Sequence, residues 1–259
     1  MLTYFMAFEQ KRIGIFDSGI GGFSIWKELI KELSGHQFFY ISDVPNSPYG
    51  NKSSQFIRQR AEVLSNELLK EKVDIILLAC NTATAEAIDG LRDKFNVPFV
   101  GIEPFVKSIE SLDLGENNIR PVVLTTRAMH DSVRFKELIL KFDKDKILTP
   151  HACDNLASLI EVAYKKGLDS VEKEIEEELK PLRDKNYTHA ILGCTHYPLI
   201  SDKIARYLNV ECISPCLPVS KRVAYILKAG PIDSRTELYF KTSNQENFET
   251  FSPALLSLK

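Results

Sequence analysis

Short apolar runs alternate along the chain with longer stretches whose apolar positions recur every three or four residues. "RIGIF" (12–16), "QFFYISD" (37–43), "VDIILLA" (73–79) and "VPFVGI" (97–102) read as strands, and 23–33, 53–71 and 83–95 as the helices between them. In 53–71, Phe56, Ile57, Ala61, Leu64 and Leu68 fall on one stripe. The second half keeps the rhythm. Strands are predicted at 120–126, 146–150, 188–193 and 210–214, and helices at 130–141, 155–165, 169–184, 199–208 and 218–228. A last strand (237–243) and a last helix (246–258) follow. The acidic run "SVEKEIEEELK" reads as a solvated helix face.

Such alternation predicts an α/β protein with mostly parallel sheets covered by helices on both faces. Matching segments in the two halves predict two similar three-layer domains with a site in the cleft between them. One boundary is expected near Glu103–Pro104. Residues 1–103 plus 215–259 would form the first domain and residues 104–214 the second, the chain ends returning to one unit.

Composition narrows the classes. A chain of 259 residues that is 44% hydrophobic can bury a large core without disulfide staples. The net charge of −2 and the scattered basic residues give no nucleic-acid surface. No run reaches the roughly 18 apolar residues of a membrane helix. "MLTYFMAF" lacks the basic start of a secretory signal, and five cysteines are an odd number. Free thiols in the cytoplasm are the expectation.

Two of those thiols share a local address. "DIILLACNTAT" puts Cys80, and "HAILGCTHYPL" Cys194, after a buried strand and before polar residues that can open a helix. There a thiol can be made reactive. A free thiol has a pKa of about 8.5, so it needs a partner to ionise near neutrality. His196, two residues past Cys194, is a candidate. Asn81 and Thr82 offer side-chain donors, and Thr82 can cap the following helix.

Asp17 ends the first strand before "SGIGG". Ser24 stands where a dinucleotide fingerprint needs its third glycine, and Gly19 where an aspartate phosphoryl-transfer site would want a second carboxylate. A polar cradle remains, with Ser18 and the N–H groups of the turn taking an anion at the helix start. The pairs His151/Cys153 and Cys212/Cys216 lack zinc-site spacing, and no phosphate loop for a nucleoside triphosphate is present, so no metal and no cofactor are expected. Two thiols, a carboxylate, an imidazole and several hydroxyl and amide donors suit a small anion whose proton leaves one face and returns on the other.

In chain order, "GIFDSGIGGFS" (14–24), "PYG" (48–50), "ACNTA" (79–83), "GIEP" (101–104), "LIE" (159–161) and "GCTHYPL" (193–199) closely resemble the motifs of glutamate racemase. The resemblance covers nearly the whole chain. It implies a cofactor-independent enzyme that interconverts L- and D-glutamate, supplies D-glutamate for peptidoglycan, and forms homodimers. By motif, Cys80 would act on D-glutamate with help from Asp17, and Cys194 on L-glutamate with help from His196 and Glu161. Ser18, Pro48, Tyr49, Gly50, Asn81, Thr82, Thr126 and Thr195 would bind the substrate.

The chain departs from the family pattern in "VPNSPYG", in "LTTRAMHDS", where Met129 replaces a second threonine, and in "ISPCLPVS" (213–220). These changes spare the thiols and bear on substrate fit. A racemase of another acidic amino acid such as aspartate, or a non-catalytic binding relative, is the alternative; His196 speaks against aspartate, where a carboxylate is usual. Trp26 is read as either a dimer contact or core.

Overall fold

Parity along the strands decides which way each side chain packs. The computed structural model describes residues 9–111 and 119–256. In chain order the strands and helices are β1 (Arg12–Asp17), α1 (Phe23–Glu32), β2 (Gln37–Ser42), α2 (Ser54–Lys70), β3 (Ile75–Leu78), α3 (Asn81–Lys94) and β4 (Phe99–Gly101). Then come β5 (Pro121–Thr125), α4 (Arg127–Asp131), α5 (Val133–Phe142), β6 (Thr149–Ala152), α6 (Leu156–Lys166), α7 (Glu172–Leu179) and β7 (His189–Gly193). The remainder are α8 (Ser201–Leu208), β8 (Glu211–Ile213), α9 (Cys216–Leu227), β9 (Glu237–Thr242) and β10 (Glu249–Thr250).

The strands form two sheets, ordered β10-β9-β2-β1-β3-β4 and β6-β5-β7-β8. Every pairing is parallel except β9 with β10. In the larger sheet Ile13, Ile15, Phe38, Tyr40, Ile75 and Leu77 face one core, with α1 and α9. Phe16, Phe39, Ile41, Ile76 and Leu78 face another, with α2 and α3. In the smaller sheet Val122, Leu124, Ala190 and Leu192 join the first core, so one apolar cluster runs between the two sheets. Val123 and Ile191 pack on the opposite face with Phe135 and Met129.

Departures from the expected elements have local causes. The predicted strand at 146–150 starts later, at Thr149, because Ile147 and Leu148 donate their N–H groups to the Asp143 carboxylate at 2.8 and 3.2 Å. The helix expected at 130–141 is two helices, since Ser132 is extended and its hydroxyl caps Phe135 N–H at 3.1 Å. The acidic segment is α-helical only over α7, with 3-10 turns at Leu168–Val171 and Lys180–Leu182 on either side, and it buries Ile175 and Leu179 while Glu172 and Glu176 hold the ammonium of Lys203.

The last helix predicted, 246–258, does not form over the described residues. Glu249 and Thr250 instead pair antiparallel with Phe240 and Tyr239. Pro253 then opens a single 3-10 turn, Pro253–Leu256. Burying Phe251 against Trp26, with ring centroids 5.1 Å apart, favours this arrangement. Trp26 is fully buried and also stacks on Tyr40, so it belongs to the core and not to a dimer surface.

Candidate active site

Asp17 is the last residue of β1 and has no exposed surface. Its carboxylate is satisfied by the turn that follows: Ser18 N–H donates to Oδ1 at 2.7 Å and Gly22 N–H to Oδ2 at 2.6 Å. The turn is fixed in its turn by Tyr40 and Ser42, whose hydroxyls both donate to the Gly19 carbonyl, at 3.0 and 2.8 Å. Burial pushes the Asp17 carboxyl up to about 6, against the pull of nearby His196 and of the Gly22 and Ser18 N–H groups. The cradle read from the sequence therefore holds the chain's own aspartate.

The glycines of that turn have a steric role. A Cβ on Gly19 would collide with Glu161 Oε1, and one on Gly21 would collide with His196 Nδ1 and lie 2.6 Å from Thr195 Oγ1. Bare backbone lets the turn of the larger sheet lie directly on side chains carried by the smaller one.

Cys80 follows β3 and is itself the N-cap of α3: its sulfur accepts Ala83 N–H at 3.5 Å. Ser18 Oγ lies 3.8 Å from the sulfur. Burial, reinforced by the charge of Asp17, pushes the Cys80 thiol well up; Ala83 N–H and Ser18 offset part of this, and Cys194 adds to it. Thr82, expected as a cap, lies inside α3 and pairs its hydroxyl with that of Thr126 at 3.1 Å. Asn81 is buried, and neither its amide nitrogen nor its amide oxygen has a partner among the described residues.

Cys194 follows β7. Its sulfur lies 3.7 Å from His196 Nδ1, and His196 Nε2 lies 2.8 Å from Glu161 Oε1. Glu161, on α6, also accepts Ile20 N–H at 2.9 Å through the same oxygen. Burial disfavours a charged imidazole, yet the bonds to Cys194 and Glu161 outweigh it and raise His196 well above its ordinary range. Burial likewise opposes ionisation of Glu161, but the His196 bond and charge and the Ile20 N–H hold it below its usual value. His196 is thus favoured as a cation between a carboxylate and a sulfur. Thr195 joins the two groups, with its hydroxyl 3.5 Å from Asp17 Oδ2.

The loop before α2 brings up Pro48, Tyr49 and Gly50. Tyr49 is buried, and its hydroxyl donates to Asp43 Oδ2 at 2.5 Å. Gly50 lies against Thr126, a Cβ there standing 3.3 Å from the threonine Cβ. Met129 is fully buried beside Phe135 and Val106, and its N–H goes to Thr126 Oγ1 at 3.3 Å.

Several supporting residues were not singled out from the sequence. Asp43, just after β2, has no exposed surface and accepts Arg60 Nε and Nη2 at 2.9 and 2.8 Å, Asn46 Nδ2 at 2.9 Å, and Ser243. These bonds anchor the Pro48–Gly50 turn. A carboxylate at a strand end was the available signal, the same one that marked Asp17. Ser24 Oγ donates to Thr195 O at 2.9 Å, which fixes the turn after Cys194, and nothing in the sequence pointed to it.

A profile of the Asp/Glu/Hydantoin racemase family matches residues 23–217, and the chain belongs to that family. It is an amino-acid racemase. Among its relatives, a glutamate racemase of Pseudomonas aeruginosa is 32% identical over 257 residues, 96% of each chain. One of Clostridium acetobutylicum is 35% identical over 201 residues, 77% of each. The crystal structure of glutamate racemase from Francisella tularensis in complex with D-glutamate has a TM-score of 0.74 and 30% identity, covering 92% of this chain and 89% of that one. Among the described residues no helix is long and apolar enough to cross a membrane, and no cluster of His, Cys, Asp and Glu is suited to a metal ion.

Proposed function

We propose that this racemase interconverts L- and D-glutamate, with Cys80 and Cys194 working on opposite faces of the substrate Cα. One observation carries the reading. The two thiols end strands of different sheets, yet both lie around Asp17: Cys80 through Ser18, and Cys194 through its neighbour Thr195. Residues 1–103 plus 215–259 would form one domain and 104–214 the other, with the substrate between them.

The Cα proton of an amino acid is only weakly acidic, so one base must remove it while an acid waits opposite. His196, held cationic by Glu161, stands 3.7 Å from the Cys194 sulfur, where it can donate to that sulfur during proton transfer. Burial and Asp17 keep Cys80 as the thiol. In this reading Cys194 takes the proton of L-glutamate and Cys80 delivers another. The product leaves the protonation states reversed. For D-glutamate Cys80 must first lose its proton, and Asp17, titrating near pH 6, is the group beside it that can receive one. Ser18, Thr82, Thr126, Thr195 and the unpartnered amide of Asn81 supply donors for the carboxylates, and Pro48, Tyr49 and Gly50 close the cleft. Fixed dipoles in a buried site stabilise the carbanion-like transition state better than water would. In a bacterium this activity would serve peptidoglycan synthesis from the cytoplasm, with the enzyme as a homodimer.

The test is purified protein in heavy water with L-glutamate, and separately with L-aspartate. Loss of optical rotation together with Cα deuteration on glutamate alone is expected. Turnover of aspartate alone would move the assignment to another acidic amino acid, and exchange on neither would leave a binding protein.

A further inference from the structure

Around Glu161 one hydroxyl is left over. Ser47, just before the Pro48–Gly50 turn, has its Oγ buried without a hydrogen-bond partner among the described residues. An orphaned buried hydroxyl is costly, so a fold retains few of them without a use. This one stands over Gly19. The point a Cβ would occupy there is 3.0 Å from Ser47 Oγ and 2.8 Å from the carboxyl carbon of Glu161, so the hydroxyl and the carboxylate flank the same spot. Both hydrogen bonds that Glu161 makes with described residues, to Ile20 N–H and to His196, fall on Oε1. Its second oxygen has acceptor capacity beside a hydroxyl with a proton to give.

We propose that Ser47 is a positioning residue for the Glu161–His196 pair, its hydroxyl donating to the second oxygen of the Glu161 carboxylate in the working enzyme. The turn that carries Ser47 is pinned from behind by Asp43, through Tyr49 and Asn46, while Glu161 comes from α6 of the other sheet. A bond between them ties the Pro48–Gly50 turn to the imidazole that serves Cys194. The absence of a side chain on Gly19 leaves room for that bond.

The inference rests on the glutamate reading for its kinetic test. With L- and D-glutamate, Ser47→Ala is expected to lower kcat about tenfold and leave KM within about twofold, as for loss of one hydrogen bond to a charged group felt in the transition state. Ser47→Thr, which keeps the hydroxyl, restores kcat. The 15N resonances of the His196 ring move in Ser47→Ala and return in Ser47→Thr. A rise in KM at unchanged kcat would make Ser47 a substrate ligand and overturn the proposal. So would unaltered kinetics, or a failure of threonine to rescue. If the wild-type protein turns over neither enantiomer, the glutamate reading fails, and the ring resonances alone decide on Ser47.

Discussion

The two thiols have the same local address and opposite surroundings. Cys80 sits with a buried carboxylate, Asp17, whose charge pushes its proton more firmly onto the sulfur. Cys194 sits with His196, which Glu161 holds as a cation. One fold unit, a parallel strand ending at a thiol, thus stands beside a buried carboxylate on one side and beside an imidazolium on the other. The two cysteines are equally buried, at 5% exposure, and it is the sign of the neighbouring charge that differs. Chemical identity of two residues says little about their roles when desolvation makes each neighbour count.

The largest expected effect comes from removing either sulfur. Cys80→Ala and Cys194→Ala should each lower racemisation about a thousandfold or more, and the double variant should be no worse than the singles. The contrast between the sides appears in the residual chemistry. Cys80→Ala keeps the thiol proposed to act on L-glutamate, so any remaining Cα deuteration should occur in L-glutamate with retained configuration. Cys194→Ala should show the reverse. NMR of each enantiomer in heavy water reads this, and equal exchange into both by one variant would undo the assignment of faces.

Next is the imidazole. His196→Asn should lower kcat/KM about a hundredfold, within the usual range for a general acid–base group. The two enantiomers have equal free energies in water, so kcat/KM must fall by the same factor for both. A side-specific loss can appear only in kcat and KM separately. The variant also deprives the Glu161 carboxylate, which is 12% exposed, of its cationic partner, leaving Ile20 N–H on Oε1. Breaking such a pair costs about 3 kcal/mol. Melting should therefore occur well below the wild-type temperature, and an unchanged melting temperature would mean the pair is not formed.

Asp17→Asn should change how stability depends on pH, and this difference sharpens the comparison most. Its carboxyl is raised from 3.8 to about 6, so between those values the folded protein keeps a proton that the unfolded chain has released. Stability then falls as pH rises through that window, and the cost is complete above about pH 6. At pH 7.5 the cost is on the order of 3 kcal/mol, and the asparagine variant is relieved of it. The variant carries a fixed loss, because its amide nitrogen faces the N–H of Ser18 or Gly22, but it should gain on wild type in melting temperature as pH rises from 4 to 7.5, while racemisation is lowered about tenfold or more. A difference in melting temperature that stays the same from pH 4 to pH 7.5 would show the carboxylate to be compensated in the fold.

Much of this contrast was legible in the chain. Apolar runs ending in Asp17, Cys80 and Cys194 place chemistry at the ends of parallel strands, because a buried strand can carry a polar group only where the sheet opens. Glu161 was read through the family motif; taken alone it is a helical glutamate between apolar neighbours. The support around Asp43 was hidden, because Arg60 and Ser243 reach it from distant parts of the chain. Gly19 and Gly21 read as a ligand turn, whereas their close contacts are with Glu161 and His196, which lie far along the sequence. The closing segment misled for a related reason: its apolar spacing suits a helix, but Phe251 gains more by stacking on Trp26.

The smallest effect tests how stiff the Cys80 side is. Gly90 lies in the exposed interior of α3, the helix that Cys80 caps, and a Cβ there would meet nothing within 4 Å. Gly90→Ala should raise stability by roughly 0.5–1 kcal/mol, through helix propensity and a less free unfolded chain. If α3 only presents Cys80 and Asn81 as a rigid rod, kcat and KM should stay as they are. A lowered kcat alongside the gain in stability would mean that α3 must flex during turnover, and that the two thiols differ in mobility as well as in charge.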